Sequence, residues 1–474
     1  MPAINFPAST EPGINKTEGG GRLINAFVDQ APDGSRSRVI YRRVPGLVER
    51  FAAGSDGFRG ALSVGNILYV VNGNTAYSVT VSGGAYVVSS LGGSVPGAGK
   101  VKMARNMALP TNVLIVHSAG MSEISGGSVV PFSDPSLPDP VDIDFLDGYF
   151  FFAISDGRCF ASGINLTSVN ALDFTTAESS PDGLLRCVAF RRELLLMGET
   201  SIEFYSNTGN PTGFPFSRGP VLKLGLFGKN AVAGNEQSFP GNLIFAGSDG
   251  RVYQLSGYSP EPISTPYIES LISKITNRDD LEASTFVSSG HACVVLQTSD
   301  WTMVYDMRTG QWHERASYGS VNWMAQGGIY ALGSWIVFDK SDTGRAFSVE
   351  PSAYKEGDNP LVWELRSAQE HRFPGRFVVN RASFDFLTGV GIDAGIDPIE
   401  TNPVVSISWS DDGGRTFGNP LVRELGTTGE QRDIDIFRCG LTGSLGRQWR
   451  LQVSDPVEIA FMGGAFDFEE RKAS

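Results

Sequence analysis

The sequence predicts an all-β fold: a β-propeller-like body of six or seven blades with a short helical insertion, followed by a C-terminal β-sandwich. The first observation is composition, since 57 Gly and 26 Pro among 474 residues disfavour a helical protein and predict many turns. The second is a hairpin pattern that recurs along the middle of the chain. The third is a return to strand-like runs near the C-terminal end.

The recurring pattern is a β-rich run, a tight polar turn with Gly, Asn or Asp, and a second β-rich run. It occurs seven times, with turns centred on Gly73, Gly120, Gly157, Gly198, Gly250, Asp300 and Gly344. The intervals between these centres are 47, 37, 41, 52, 50 and 44 residues, and a four-stranded propeller blade takes about 40 to 50 residues. Residues 51–350 are therefore predicted to form the propeller. Packing of the same hairpins into two β-sandwich domains is the alternative.

One segment, residues 267–284, breaks the β pattern and predicts a helical insertion. Four of its apolar residues share one helical face: Ile268, Leu271, Ile272 and Ile275. Asn277 can cap a second short helix, with Asp279 and Asp280 complementing the dipole in its first turn. The insertion either packs on the propeller rim or contacts a neighbouring subunit.

The two ends of the chain differ from its middle. Residues 1–50, with Gly19-Gly20-Gly21 and several arginines, predict an extended arm that docks elsewhere. Prolines and a polar run near residues 351–360 mark a boundary. Residues 351–474 are predicted to form the β-sandwich, with strands at 384–387, 404–409, 449–453 and 458–461.

The charge balance disfavours ordinary nucleic-acid recognition. Lys and Arg number 38 against 51 Asp and Glu, which gives a net charge of −13. A protein that binds DNA through its phosphates needs a basic surface, because counterion release supplies much of the affinity. A channel through which DNA must slide is still compatible with an acidic protein.

Cysteine usage and the chain start indicate a soluble protein made in a cytoplasm. The cysteines form no C-x-x-C pair, so we expect reduced, mostly buried thiols at Cys159, Cys187, Cys293 and Cys439. The first seven residues lack the charged and apolar regions of a secretory signal. No apolar run approaches the roughly 20 residues of a membrane span.

The clearest local motif is Ser410–Phe417, which fits the Asp-box pattern S-x-D-x-G-x-T-F after a predicted strand. Its Ser and Asp side chains can bond backbone N–H groups, and its Gly permits positive φ. Sialidases carry several such boxes on a propeller. Here there is one copy, outside the predicted propeller, so we expect an architectural turn.

Catalytic and cofactor motifs are missing from the sequence. G-x-S-x-G and H-E-x-x-H do not occur, and the histidines are scattered singletons: His117, His291, His313 and His371. Gly97-Ala98-Gly99-Lys100 resembles the end of a phosphate loop, but Ser94 stands where the first glycine belongs. We expect no enzyme, no catalytic, cofactor-binding or metal-binding residue, and no cofactor.

Two charged clusters remain. Asp139–Asp147 is rich in carboxylates, and strand spacing would put Asp142 and Asp144 on one side. A solvated edge is the favoured interpretation, with calcium or glycosidic acid–base chemistry as alternatives. The basic residues best placed to contact an acidic partner are Arg36, Arg38, Arg42 and Arg43, while Arg191-Arg192 indicates a blade-edge turn.

Several short blocks in a fixed order resemble the packaged-DNA stabilisation proteins of short-tailed bacteriophages, also called tail accessory factors, hubs or nozzles. The blocks are Pro181–Leu185, Glu193–Met197, Ser201–Gly209, Ile268–Ile275 and Val304–Trp312, with a weaker similarity at Arg43–Leu47. The strand with Ser410–Phe417 falls where that family has a similar Asp-Gly turn. Together these blocks span most of the chain.

The resemblance implies a non-enzymatic virion protein of the tail. It implies a six-fold ring below the portal and adaptor that retains double-stranded DNA and continues the ejection channel. The implied partners are other copies of the chain, portal and adaptor proteins, a tailspike or tail fibre, a tail needle or plug, and DNA passing without sequence-specific binding. No membrane contact is implied for the free protein. The alternative is a glycan-binding or sialidase-like propeller of a viral tail.

Overall fold

The computed structural model describes residues 1–15, 18–177, 183–210 and 213–471. Within these ranges nearly every regular element is a β-strand. The first part of the chain contributes β1 (Ala3–Ile4), β2 (Arg22–Ile24), β3 (Ala26–Gln30), β4 (Val39–Arg43) and β5 (Gly46–Ala52). Pro181 and Asp182, which belong to the resemblance, lie outside the described residues.

Seven antiparallel blades follow in the described part of the chain. Blades 1 to 3 are β6 (Phe58–Val64), β7 (Ile67–Asn72), β8 (Thr75–Ser82) and β9 (Ala85–Ser90); β10 (Lys102–Arg105), β11 (Val113–His117), β12 (Gly120–Ser125) and β13 (Ser128–Phe132); and β14 (Asp142–Leu146), β15 (Tyr149–Ala153), β16 (Arg158–Ser162) and β17 (Val169–Thr176).

Blades 4 to 7 have shorter strands in places. They are β18 (Leu184–Phe190), β19 (Glu193–Gly198), β20 (Ile202–Asn207) and β21 (Phe216–Leu222); β22 (Val232–Ala233), β23 (Ile244–Ala246), β24 (Val252–Ser256) and β25 (Ser259–Pro262); β26 (Glu282–Ser288), β27 (His291–Gln297), β28 (Thr302–Asp306) and β29 (Gln311–Glu314); and β30 (Ala325–Ala331), β31 (Ser334–Asp339) and β32 (Arg345–Glu350), to which β5 is added.

The blades close into a ring around one axis. The first strands of blades 1 to 4 pack against each other in turn, as do those of blades 5 to 7, and β30 of the last blade packs against β6 of the first. Blades 4 and 5 share an apolar cluster that includes Val188, Phe204, Val232 and Phe245. Because each blade buries its faces against two neighbours, no single hairpin has to be stable alone. The predicted all-β, propeller-like fold is confirmed.

Each recurring hairpin of the sequence joins the second and third strands of one blade. In blade 1, Asn72 pairs with Thr75 across the turn, and Gly73 has a φ of 53°. Glycine adopts this left-handed conformation without the cost of a Cβ. The turn signal therefore recurs once per blade, which explains the blade-sized spacing.

Strand β5 closes the ring by pairing antiparallel with β32 as the fourth strand of blade 7. Leu47 on β5 is buried with Phe347 and Val349 of β32. The first and last strands of the propeller are thus joined by hydrogen bonds and apolar contact, although about 300 residues separate them.

The helical insertion is confirmed, with shorter helices than predicted. Helix α1 (Pro266–Ile272) buries Ile268 and Ile272 against blades 5 and 6, so it packs on the propeller. A 3₁₀ helix at Arg278–Asp280 follows, and the Asn277 side chain accepts a hydrogen bond from the Asp279 N–H, as expected for its cap. Contact of this insertion with another subunit stays a prediction.

The predicted C-terminal limit of the insertion, residue 284, is wrong. Residues 282–284 begin strand β26, where Glu282 pairs with Gln297 of β27. The interstrand ladder, a tertiary contact, decides the conformation here over the local helical spacing. Ile275 also lies beyond the last residue of α1.

The rest of the chain forms a β-sandwich that also uses the N-terminal strands. Its strands are β33 (Lys355–Glu356) and β34 (Asn359–Pro360), which extend blade 7, then β35 (Trp363–Arg366), β36 (Arg376–Phe386), β37 (Val404–Ser410), β38 (Leu421–Glu424), β39 (Ile434–Leu441), β40 (Gln448–Val453) and β41 (Ala460–Arg471). One sheet has the order β3-β4-β41-β36-β39, with β1 also on β41; the other has β2-β35-β40-β37-β38.

Residues from both ends of the chain fill the sandwich core. Leu23 and Tyr41 are buried with Trp363, Trp449 and Phe461. Strand β2 also pairs with β29, so one sandwich sheet continues the sheet of blade 6. The division of the chain at residues 50 and 350 stays a prediction.

Candidate functional site

The Asp-box turn after β37 is held by hydrogen bonds within the turn itself. The Asp412 carboxylate accepts hydrogen bonds from the Thr416 hydroxyl at 2.6 Å and from the Arg415 and Thr416 backbone N–H groups at 2.9 and 3.0 Å. The Ser410 hydroxyl donates to Asp412 at 2.7 Å and accepts from the Gly414 N–H at 2.9 Å. Thr416 and these other donors hold the pKa of Asp412 well below its usual range. This geometry agrees with an architectural turn.

Two of the four histidines, expected to be singletons, lie beside one cavity. His117 contacts the Ser122 hydroxyl at 3.0 Å, and His371 is exposed. His291 and His313 both line a cavity of about 330 Å³ between blade 6 and the sandwich. The sequence shows no signal for this pairing, because it depends on the alignment of β27, β28 and β29.

In this junction cavity, charged groups of the propeller meet a carboxylate of the sandwich. His291 Nδ1 lies 2.7 Å from Asp306 Oδ2, and its Nε2 lies 4.0 Å from Asp29 Oδ1 on β3. Burial alone would raise the pKa of Asp306, but the hydrogen bond and charge of His291 lower it on balance. Burial lowers the pKa of His313 to about 3, so His313 is neutral near pH 7.

This His–Asp pair lacks the nucleophile of a catalytic triad. In the described ranges no hydroxyl is hydrogen-bonded to His291, whose second nitrogen lies 3.5 Å from Arg308. The Thr309 hydroxyl donates to Asp306 instead. The cluster is a contact between blade 6 and Asp29 of the sandwich.

The expectation that Asp139–Asp147 is a solvated edge is wrong for its central residues. Asp142 is fully buried and accepts hydrogen bonds from Arg186 Nε at 2.6 Å and from the Cys187 N–H at 2.9 Å. Asp144, on the same side as predicted, accepts from the Ala189 N–H at 2.8 Å. These backbone N–H groups belong to β18 of blade 4, and the carboxylates of blade 3 supply their acceptors. The carboxylates therefore connect blades 3 and 4.

The four N-terminal arginines do not form one basic surface. Arg43 is buried and donates to the carbonyl oxygens of Asp455, Val457 and Val453, and burial lowers its pKa to about 10. Arg42 lies 3.3 Å from Asp29 and 3.7 Å from Glu458. The exposed members are Arg36 and Arg38. Arg36 lies 3.3 Å from Asp385, so of the four arginines Arg38 is the one that is exposed and outside the ion pairs of the described residues.

The phosphate-loop-like string is part of a structural connection. Arg59 donates to the carbonyl oxygens of Gly99, Gly73 and Val95 at 2.7 to 2.8 Å, which holds the loop between blades 1 and 2. Lys100 forms an ion pair with Glu282 at 3.2 Å. Arg191 and Arg192 form the turn between β18 and β19, as the sequence indicates.

One side of the propeller carries the first and third turns of every blade and is called here the loop face. On it, the Asn106 side chain donates to the Asn165 carbonyl at 3.0 Å, which joins loop 106–112 of blade 2 to loop 163–168 of blade 3. The joined loops expose apolar side chains, of which Leu109 is the most exposed at 96%; the others are Met107, Ile164 and Leu166. Exposed apolar patches of this kind mark interaction sites. Sequence reasoning missed these residues.

A polar cavity of about 500 Å³ lies on the propeller axis. It is lined by residues of the first strands, or their flanks, from all seven blades. Charged side chains contribute most of its polar groups: Arg59, Lys100, Lys102, Arg105, Asp144, Arg186, Glu236 and Glu282. No pattern in the sequence predicts this convergence, because these residues come from separate blades.

Other classes of site find no support in the described residues. They contain no group of three His, Cys, Asp or Glu side chains placed to hold a metal ion. Their helices are all too short or too polar to cross a bilayer. The four cysteines are free and buried, as expected.

The fold is that of a β-propeller protein, and its candidate sites are an exposed apolar surface and buried networks of charged side chains. A family model described as "Bacteriophage P22 Gp10, beta-propeller" matches residues 24–346. The match covers more than half of the chain, so the chain belongs to this family and is a β-propeller protein of the bacteriophage tail. The resemblance seen in the sequence is thereby confirmed. A comparison with curated proteins found no match.

Solved propeller structures show weaker likeness. The WD40 β-propeller domain of Doa1 shares 11% identity with a TM-score of 0.41, covering 65% of this chain and 98% of that one. The computationally designed Ika8 protein shares 12% identity with a TM-score of 0.39, covering 70% and 100%. PorZ, a surface component of the type-IX secretion system of Porphyromonas gingivalis, shares 11% identity with a TM-score of 0.41, covering 72% and 44%.

Proposed function

We propose that this protein is the hub or nozzle of a bacteriophage tail, forming a ring below the portal and adaptor. In this role it closes the head after packaging, retains the double-stranded DNA and forms part of the ejection channel. The observation that carries the proposal is the family match over residues 24–346, which includes every propeller strand except the last four residues of β32. The partners are the portal and adaptor, a tailspike or fibre, and a needle or plug.

The charge of the protein supports a conduit that acts without catalysis. A wall rich in Lys and Arg would hold a duplex through many phosphate contacts. With a net charge of −13, a ring of this chain would repel the phosphates and let DNA slide. A wall has no need of a reactive pocket, and the His291–Asp306 pair has the geometry of a structural contact.

The apolar loops of the loop face are where we expect one copy to contact the next. They lie on blades 2 and 3, whereas the sandwich attaches at blade 6. In a propeller of seven blades, blades 2 and 3 lie across the axis from blade 6. A contact between the loops of one copy and the sandwich of the next would be heterologous, which is the type that closes rings.

The proposal is tested with particles that lack this protein. We expect heads that package DNA but lose it, measured as DNA that becomes accessible to nuclease, and rings on adaptor-bearing particles when wild-type protein is added. The Leu109→Glu variant should not form rings on these particles, because it places a charge in the apolar loops. Val321→Glu is the control, since Val321 is also exposed but lies on the opposite side of the propeller. Stably filled heads without the protein would contradict DNA retention.

The glycan-binding alternative is tested with the same purified protein. A glycan array and a reducing-sugar assay should show neither binding nor turnover. Sugar turnover that is lost on substitution of one carboxylate would contradict the proposal.

A further inference from the structure

The axial cavity contains a lysine that forms no ion pair in the described residues. Lys102, on the first strand of blade 2, extends across the axis and donates to Asn230 Oδ1 of blade 5 at 3.3 Å. In the described part of the chain this long hydrogen bond is its one polar contact, and Lys102 belongs to no ion pair. An ammonium group has three N–H donors. Two of them are therefore available in the cavity.

Two neighbouring cations, Lys100 and Arg186, are already paired with carboxylates, whereas Arg59 and Arg105 donate to backbone carbonyl oxygens. Lys100 pairs with Glu282 at 3.2 Å, and Arg186 pairs with Asp142 at 2.6 Å. Lys102 itself forms no ion pair in the described residues, and the Asp142 and Glu282 charges that favour its ammonium form are each paired with another cation. Burial, together with Arg186 and Lys100, lowers the pKa of Lys102 to about 7.

The remaining carboxylates of the cavity are engaged by the backbone. Asp144 accepts hydrogen bonds from the Phe145 and Ala189 N–H groups at 2.8 Å each. Glu236 accepts one from the Gly234 N–H at 2.6 Å. Burial raises the pKa of Asp144 to about 6 and also raises that of Glu236. Neither carboxylate forms an ion pair with Lys102.

A second, independent observation points to a missing partner. Ser284 lines the same cavity from blade 6, is 5% exposed, and its hydroxyl has no hydrogen-bond partner. A buried hydroxyl without a partner costs free energy. Water could satisfy the hydrogen bonds of Lys102 and Ser284, but it supplies no negative charge to the ammonium form of Lys102.

We propose that the axial cavity is a binding site for a small phosphate-class oxyanion, held by the Lys102 ammonium with the Ser284 hydroxyl and the paired Arg186 and Lys100 around it. Such an anion supplies both the negative charge and the acceptor oxygens that these groups lack. The site requires one propeller alone, so it is independent of the proposed ring.

The test is titration of the full-length protein with inorganic phosphate at constant ionic strength, followed by calorimetry and by melting temperature. We expect saturable binding of one phosphate per chain and a rise in melting temperature, because a ligand that binds the folded state stabilises it. Lys102→Met should weaken binding at least about tenfold, since it removes a charged hydrogen-bond donor. Ser284→Ala should weaken it less.

The controls separate the site from general anion effects. Lys223→Met removes the same charge from an exposed position and should bind phosphate as wild type does. Lys102→Met should itself melt at a higher temperature than wild type in phosphate-free buffer, because an unpaired buried charge is removed. Phosphate binding that is unchanged in Lys102→Met, lost equally in Lys223→Met, or absent from wild type would overturn the proposal. If Lys102→Met does not fold, Lys102→Gln and Ser284→Ala are tested instead. Phosphate binding that is unchanged in both of these single variants would overturn the proposal.

Discussion

The propeller and the sandwich are both antiparallel, but they draw their strands from the chain differently. Within each of the first six blades the strands are consecutive, and only β5 joins the propeller from a distant position. The sandwich instead pairs β1, β2 and β4 with strands that lie more than 300 residues later, and β3 joins through its pairing with β4. Local pairing leaves a repeating signal in the sequence, whereas long-range pairing leaves none.

The difference also predicts which region depends on the N-terminal residues. The buried clusters of the propeller contain residues between Leu47 and Val349. The sandwich cluster includes Ile4, Phe6, Leu23, Ala26, Val28 and Tyr41 from the N-terminal segment. Removal of residues 1–43 therefore should affect the two regions unequally.

The largest effect is expected when the two regions are produced separately. A fragment of residues 44–361 should fold, and a fragment of residues 362–474 should not, as measured by circular dichroism and amide hydrogen exchange. Each fully buried large apolar side chain contributes about 1.5–3 kcal/mol, so the combined loss of the N-terminal ones is comparable with a usual domain stability of about 5–15 kcal/mol. Addition of a peptide of residues 1–43 should restore structure to the second fragment. A cooperative unfolding transition of that fragment alone would contradict the comparison.

The second effect concerns the buried ion pair of the propeller, Arg315 with Glu356. Both side chains are fully buried, the pair distance is 2.9 Å, and the Trp323 indole N–H also donates to Glu356 at 2.8 Å. Glu356→Ala should lower the free energy of unfolding of the propeller by about 3–5 kcal/mol, because Arg315 is left buried and uncompensated. Urea denaturation of the 44–361 fragment measures it. A loss below about 1 kcal/mol would show that water reaches Arg315.

A smaller effect is expected in the sandwich at the Asp-box turn. Asp412→Ala should cost about 1–2 kcal/mol, because several donors of Ser410, Arg415 and Thr416 lose their acceptor. The folded-state pKa of Asp412 lies below its ordinary value of 3.8. Its stabilisation is therefore present above about pH 4 and is lost as the pH falls below that value.

This pH dependence is measured by acid unfolding of the full-length protein. Wild type should lose stability between pH 4 and pH 2 more steeply than Asp412→Asn, which keeps the shape of the side chain without its charge. Equal slopes for the two proteins would show that the turn does not depend on the charge of Asp412.

The smallest effect is expected at the partly exposed pair of Arg50 with Glu350 on blade 7, at 2.8 Å. Glu350→Gln should change the free energy of unfolding by about 0.2–1 kcal/mol, since solvent screens this pair. It is the matched comparison for Glu356, because both glutamates lie in the sheet of blade 7 and each pairs with an arginine. A larger loss at Glu350 than at Glu356 would reverse the ranking that burial predicts.

Much of the fold was predictable because its signals are local. The seven turns, the cap at Asn277 and the Asp-box turn each depend on residues within a few positions of each other. The predicted end of the helical insertion was wrong, and so was the prediction that Asp142 is solvated. In both cases a neighbouring strand, β27 or β18, supplies the partner.

The candidate sites were less predictable than the fold. His291 meets Asp29, and Lys102 meets Asn230, across more than 100 residues of sequence. The apolar loops of Leu109 and Ile164 become neighbours because Asn106 reaches Asn165. Each site lies where two blades, or a blade and the sandwich, are in contact.

By itself the sequence determined the fold class, the position of the hairpins and the family, because turn chemistry and strand periodicity are properties of short segments. The tertiary structure decided how the ring closes through β5, where the N-terminal strands lie, and which charges are buried together. The physical reason is that free energies of burial and of charge pairing depend on which surfaces meet, and that follows from packing of the whole chain.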